Sequence, residues 1–174
     1  MSLSERQPTN PNFLSPLGFR FTLRKLPNFD WFVQSCNLPG FNLGDTNQIK
    51  NPFSTLITAG DHMTWEPLQM SFKVDEDMQS WREIFDWITA LGRPEDDVAI
   101  SQLLRAKPGE ANTEMSDASL VIMNNSGVPN LKMDFYDVIP SGLGGLQFST
   151  TQTDVLYMTC TARFRYRSYR YTKL

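Results

Sequence analysis

One histidine, His62, stands in the turn Gly60-Asp61-His62. A Ser-His-Asp or Cys-His relay would have to use it, and a multi-histidine metal site is excluded. Nothing around it has the Gly-x-Ser-x-Gly form of a nucleophile elbow, so we read it as structural or surface-lying. Two acidic clusters, Asp75–Asp77 and Glu95–Asp97, have the composition of an acid/base pair or a cation site. Each sits where a helix would begin, and neither has calcium-loop spacing. Gly142, Gly144 and Gly145 lack the Lys-Ser/Thr of a phosphate loop and the spacing of a dinucleotide site, so they mark a turn. Cys36 and Cys160 lie in apolar, strand-like stretches that suit inert buried thiols. We assign no catalytic residue, no metal ligand and no cofactor.

The remaining pattern with chemical content is the C-terminal Arg163-Phe-Arg165-Tyr-Arg167-Ser-Tyr-Arg170-Tyr-Thr-Lys173. Interleaved arginine and aromatic residues suit a single-stranded nucleic-acid binder. They suit better an amphipathic edge strand running into a basic arm that meets an acidic neighbour, and this is the reading adopted. Eleven basic and nineteen acidic residues precede Arg163, so an acidic body carries a basic tail.

These residues need a scaffold, and the stretch from Gly60 to Trp87 shows how it is built. Leu68, Met70, Phe72 and Val74 alternate with Gln69, Ser71 and Lys73, the period of a half-buried strand. After Val74 the apolar period changes to that of a helix, about 76–91, with Met78, Trp81, Ile84, Phe85, Ile88 and Leu91 on the core stripe. Asp75, Glu76 and Asp77 supply the negative charge a helix start favours, and Gly92 and Pro94 supply the stop.

Elsewhere strands dominate. Leu17, Phe19, Phe21 and Leu23 alternate with polar residues, and Phe29–Leu38 is expected to return as the second strand of a hairpin closed by Pro39-Gly40. Residues 41–59 are polar and turn-rich without a clean core-facing period, and long for a simple connection, so we expect an interaction loop. Residues 94–105 suit either a short helix or an irregular segment. Strands are expected at 118–123, at 130–139 with a break from Pro140, and at 155–166. The expected fold is mainly β (α+β), an antiparallel sandwich or barrel of about six to eight strands with one helix packed outside. One domain at 17–166 lies between an extended N-terminal arm, 1–16, and a basic C-terminal arm, 167–174. No apolar run approaches the length of a membrane span, and the start lacks the apolar core of a signal peptide. The expectation is synthesis in the cytoplasm.

The strand-helix stretch resembles the core of the tail tube proteins of T-even-like contractile-tailed bacteriophages. Ala59-Gly60-Asp61, a Trp, the alternating strand and a helix ending Phe85-Asp86-Trp87 carry that resemblance. Cys36-Asn-Leu-Pro-Gly40 is similar to the family's Cys-x-x-Leu-Pro element, and residues 137–148 with the following strand are similar to its last segment. The blocks span most of residues 17–166, while both ends depart from the family.

The resemblance implies a structural, non-enzymatic virion protein of the inner tail tube, a homohexameric ring that stacks on others and conducts DNA. Its implied partners are further copies of itself, the sheath, baseplate and terminator proteins, a tape measure protein and DNA in transit, with no membrane. It implies that the 41–59 loop reaches a neighbouring subunit or ring. Subunit or ring contacts are expected at Asn42, Asp45, Lys50, Phe53, Arg163, Arg165 and Arg167, with the arginines away from an acidic channel. It places the 68–74 strand in the sheet that closes around the channel, and the helix outside it. The alternatives are a baseplate-proximal initiator or terminator ring, and a single-stranded nucleic-acid-binding module.

Overall fold

The computed structural model describes residues 11–44, 49–51, 54–56, 60–92, 114–151 and 157–174. In chain order these form β1 (Phe19–Leu23), a 3-10 turn (Phe29–Trp31), β2 (Val33–Cys36), β3 (Phe41–Leu43), β4 (Ile49–Asn51), β5 (Ser54–Leu56) and β6 (Met63–Trp65). They continue with β7 (Leu68–Lys73), helix α1 (Gln79–Gly92), β8 (Ser116–Met123), β9 (Pro129–Leu143), β10 (Thr159–Arg165) and β11 (Ser168–Lys173). The architecture is mainly β, antiparallel throughout, with one helix among the described residues. Residues 94–105 lie outside the described residues.

The main sheet has seven strands in the order β1-β8-β9-β10-β7-β2, with β11 also on β9. Strand β9 is its spine. Its first part pairs with β8 and β11, and its last part, Ile139–Leu143, pairs with β10. Strands β10 and β11 therefore follow β9 in succession, broken at Tyr166 and Arg167. Opposite the break, Asp137 has φ 56, and its carboxylate accepts from Arg167 Nε at 2.9 Å. A strand passing from one half of a sheet to the other needs such an irregular corner. β1 and β2 are not paired with each other, so no closed barrel forms within the described part of the chain.

Three sequence expectations change here. Residues 19–23 and 33–36 do not form a hairpin: β1 pairs with β8, and β2 with β7. Between them Phe29 is fully buried at the 3-10 turn, which carries the chain from one half of the sheet to the other. Asp30 secures that crossing by accepting the Leu23 N–H at 2.7 Å; burial pushes its carboxyl up to about 6, against that bond and the charge of Arg20. Pro140 does not end its strand, because β9 continues past it through a register shift that sets Phe164 opposite Pro140 and Arg163 opposite Gly142. Nor are residues 168–173 an arm; they are strand β11, paired along β9 from Tyr136 to Leu131.

The alternating strands meet their expected fate. Leu68, Met70 and Phe72 of β7 are buried, as are Cys160, Ala162 and Phe164 of β10. They join Phe21, Leu23, Phe29, Leu120, Phe135, Val138, Ile84 and Trp87 in one core. Each large side chain so buried contributes about 1.5–3 kcal/mol.

Helix α1 begins at Gln79, later than expected. Met78 sits before it at φ 53, and the Asp75 carboxylate accepts the Gln79 and Ser80 N–H groups at 2.8 and 2.9 Å. Partial desolvation opposes the charged form of Asp75, but these bonds and the Ser80 hydroxyl outweigh it and hold the carboxyl below its ordinary range. The buried stripe is Ser80, Ile84 and Trp87, with Trp81 and Ile88 packed at the margin of the core. Phe85, expected in the core, is 47% exposed and stacks on Trp81, and Leu91 is exposed as well. The helix is turned toward Trp87, whose ring lies 6.5 Å from that of Phe164 and whose indole N–H donates to the Glu114 carbonyl at 3.1 Å. The apolar stripe is wider than the contact available to it, and the largest ring took the contact.

Candidate assembly surfaces

The expected interaction loop is a β-ribbon over its described part. At its base β3 pairs with β6, setting Phe41 opposite Trp65 and Leu43 opposite Met63; further out β4 pairs with β5. The two strands of the ribbon approach closely at Gly44 and Gly60. Gly44 N–H donates to the His62 carbonyl at 2.6 Å, and a Cβ on Gly60 would lie 1.6 Å from the Gly44 oxygen. Only glycine fits there. His62 is thus part of the ribbon's backbone ladder and lies exposed on its surface.

An aromatic clamp fixes the ribbon to the main sheet. Trp65 packs edge-on against Tyr169, with ring centroids 4.9 Å apart, and also meets Phe41 and Tyr166. Phe135 ties both tyrosines to the core. Each phenol then donates to the backbone of the ribbon's base: Tyr166 to the Glu66 carbonyl at 2.9 Å, Tyr169 to the Pro39 carbonyl at 3.3 Å. Burial, with Tyr169 and Glu66 nearby, pushes the Tyr166 phenol up to about 12. Beside the clamp, Leu38, Phe41, Leu43 and Met63 leave an apolar surface exposed. Side chains of this size in the open are typical of a surface that meets another protein.

The expected contact residues divide. Asn42 lies in β3, exposed, its carbonyl accepting from the Thr64 hydroxyl. Lys50 falls in β4 opposite Thr55. Asp45 and Phe53 lie outside the described residues. Arg163 and Arg165 alternate with Ala162 and Phe164 and point outward from β10, while Arg167 is held at the sheet corner by Asp137. The arginine-aromatic alternation is therefore mostly the two-residue period of a strand. Phe164 is in the core and Tyr166 and Tyr169 are in the clamp, so these three rings are committed and offer no stacking platform for bases. The clamp itself was missed from sequence; its signal was an aromatic on the 60–66 stretch and two tyrosines three residues apart.

Other candidate chemistry resolves into structure. Gly142 belongs to β9, and Gly144 donates its N–H to the Thr161 carbonyl at 2.7 Å. Cys36 and Cys160 are free thiols, and burial raises both pKa values, that of Cys36 up to about 12. Among the described residues no group of His, Cys, Asp or Glu is arranged to hold a metal, and no helix is long and apolar enough to cross a membrane. Among the described residues strands β1, β2 and β11 each have one partner, so the described sheet presents open edges.

No model of a known protein family matches the chain. A curated relative does: the tail tube terminator protein of Enterobacteria phage T4 is 26% identical over 144 residues, covering 81% of this chain and 77% of that protein. The fold is found in a chain of the PVC sheath-tube complex, an extracellular contractile injection system in its extended state. That match has TM-score 0.58 and 13% identity, covering 100% of this chain and 99% of the other. It is found again in the tube-terminating cap of the anti-feeding prophage, with TM-score 0.57, 12% identity and full coverage of both chains. The resemblance to tail tube proteins stated from the sequence is met by a relative and by the fold.

Proposed function

We propose that this chain is a structural subunit of the inner tube of a contractile phage tail, with no catalytic role, and that it forms the ring that terminates the tube. The relative of phage T4, a terminator protein aligned over most of both chains, carries this reading. It moves the terminator, an alternative at the outset, ahead of the repeating tube subunit. The structural features fit. The edges of β1, β2 and β11 that are open among the described residues are surfaces that neighbouring copies would consume when sheets join. The base of the ribbon, β3 and β6, is clamped to the main sheet and offers an apolar surface beside the clamp. A closed ring of identical subunits, six by the family resemblance, uses one heterologous contact repeated around an axis.

In this reading the protein lies in the virion tail, is in contact with tube and sheath subunits, and surrounds the path of DNA during ejection. Two measurements test it. Electron microscopy of the purified protein should show single rings that do not grow into long tubes; compact monomers at high concentration would refute ring formation. Quantitative gel analysis of purified particles should give one ring's worth of copies. A copy number of many rings would return the chain to the repeating tube.

A further inference from the structure

The two outward faces of the main sheet differ in charge. Where β1, β8, β9 and β11 face outward, cations sit among acids: Lys132 pairs with Asp134 at 2.8 Å, and Arg170 stands opposite Asp134 in register. The outward face of β2, β7 and β10 is built otherwise. Its register sets Lys73 beside Thr159, Ser71 beside Thr161 and Gln69 beside Arg163, with the Ser35 hydroxyl bonded to that of Ser71. Arg165 continues the row from β10. Lys73, Arg163 and Arg165 are the charged residues of β2, β7, β10 and the 139–143 part of β9, and all are cationic. Among the described residues none of the three has an acidic partner. A groove of about 390 Å³ runs past Ser35, Ser71, Gln69, Thr161 and Arg163. Two apolar side chains border its Lys73 end: Tyr157 lies under the Lys73 ammonium, and Phe32, itself 36% exposed, accepts the Lys73 N–H on its carbonyl at 2.9 Å.

This register also exposes a conflict between two expectations. A channel lined by β7 and arginines kept away from the channel cannot both hold, because Gln69 and Arg163 are cross-strand neighbours on one face. Stable protein interfaces have apolar, aromatic centres depleted of charge. A face of Ser, Thr and Gln crossed by three cations with no acidic partner among the described residues fits a hydrated polyanion instead.

We propose that the outward face of β2, β7 and β10 contacts the phosphodiester backbone of DNA, with Lys73, Arg163 and Arg165 meeting phosphates and no base being read. The choice of DNA rests on the tube reading. The contact is weak and salt-labile by design of charge, since three phosphate contacts work against an acidic body. Such a contact lets a strand pass without holding it.

The test uses the full-length protein and a fluorescent duplex of about 30 base pairs, with anisotropy read from about 20 to 200 mM salt. The wild type should bind at the lowest salt with a log-log salt slope near about −3, and K73Q/R163Q/R165Q should lose at least about tenfold in affinity and most of that slope. K132Q/R170Q, on the other face, should bind as the wild type does. No binding by the wild type, or equal losses in both variants, overturns the proposal. So does a triple variant with unchanged thermal unfolding and unchanged DNA binding that no longer forms rings, which would give this face to a second copy of the chain. Ring formation by the wild type, scored separately, keeps the two readings apart. DNA binding through these residues without rings sinks the tube reading alone, and rings with DNA binding elsewhere sink this inference alone.

Discussion

Two aromatic clusters draw on the same length of chain and do different work. Phe29, Phe72, Phe164 and Trp87 are fully buried and wholly surrounded by the core. Phe41, Trp65, Tyr166 and Tyr169 are open on one side, and two of them end in hydroxyls that bond to backbone carbonyls. Phe164 and Tyr166 stand two residues apart at the end of β10, one contributing to each. The first cluster holds the sheet and helix together through area removed from water. The second contributes less burial but fixes a direction, since its rings and hydrogen bonds set where the ribbon leaves the sheet. A tube subunit needs both: a stable body, and a projection whose angle is the same in every copy.

Substitutions separate the two roles. Phe164→Ala empties the closed cluster and should destabilise the monomer by about 3–5 kcal/mol, read from the denaturant midpoint. Trp65→Ala should cost less, about 1–2 kcal/mol, because the ring is half-buried. Its larger effect should be on ring yield counted by electron microscopy, and ring yield intact after loss of Trp65 would mean that the open cluster does not set the ribbon's direction for assembly. Tyr166→Phe keeps the ring and removes one hydrogen bond to Glu66, an expected loss of about 0.5–1.5 kcal/mol in urea unfolding. Phe85→Ala lies outside both clusters, and less than about 1 kcal/mol is expected from a half-exposed side chain. A cost of about 3 kcal/mol or more would place Phe85 in the closed cluster after all and undo the helix orientation described here.

Strands β7 and β10 were legible because alternation by twos has one outcome when one face is buried. The helix was legible as an element, not as an orientation. Its apolar residues cover more of its circumference than one sheet can hide, and sequence has no term for which neighbour is nearest. Trp87 won the core through Phe164 and the Glu114 carbonyl, partners distant in the chain. The hairpin expected between β1 and β2 failed for a related reason: adjacency in sequence favours pairing, but burial of Phe29 at the crossing makes separate partners better. In sequence the arginine-aromatic tail has the look of an arm, because nothing local announces that β9 is long enough to pair with two successive strands.

By itself the sequence determined the element types, the half-buried period of the strands, the absence of a recognisable catalytic constellation and the likeness to tail tube proteins. These depend on periodicity and composition, which are local. Tertiary structure alone decided the partners: β1 with β8, the corner at Asp137 and Arg167, the clamp on the ribbon, and the face on which Lys73, Arg163 and Arg165 meet. Each of those joins residues far apart in the chain, and their register is set by which surfaces bury one another best.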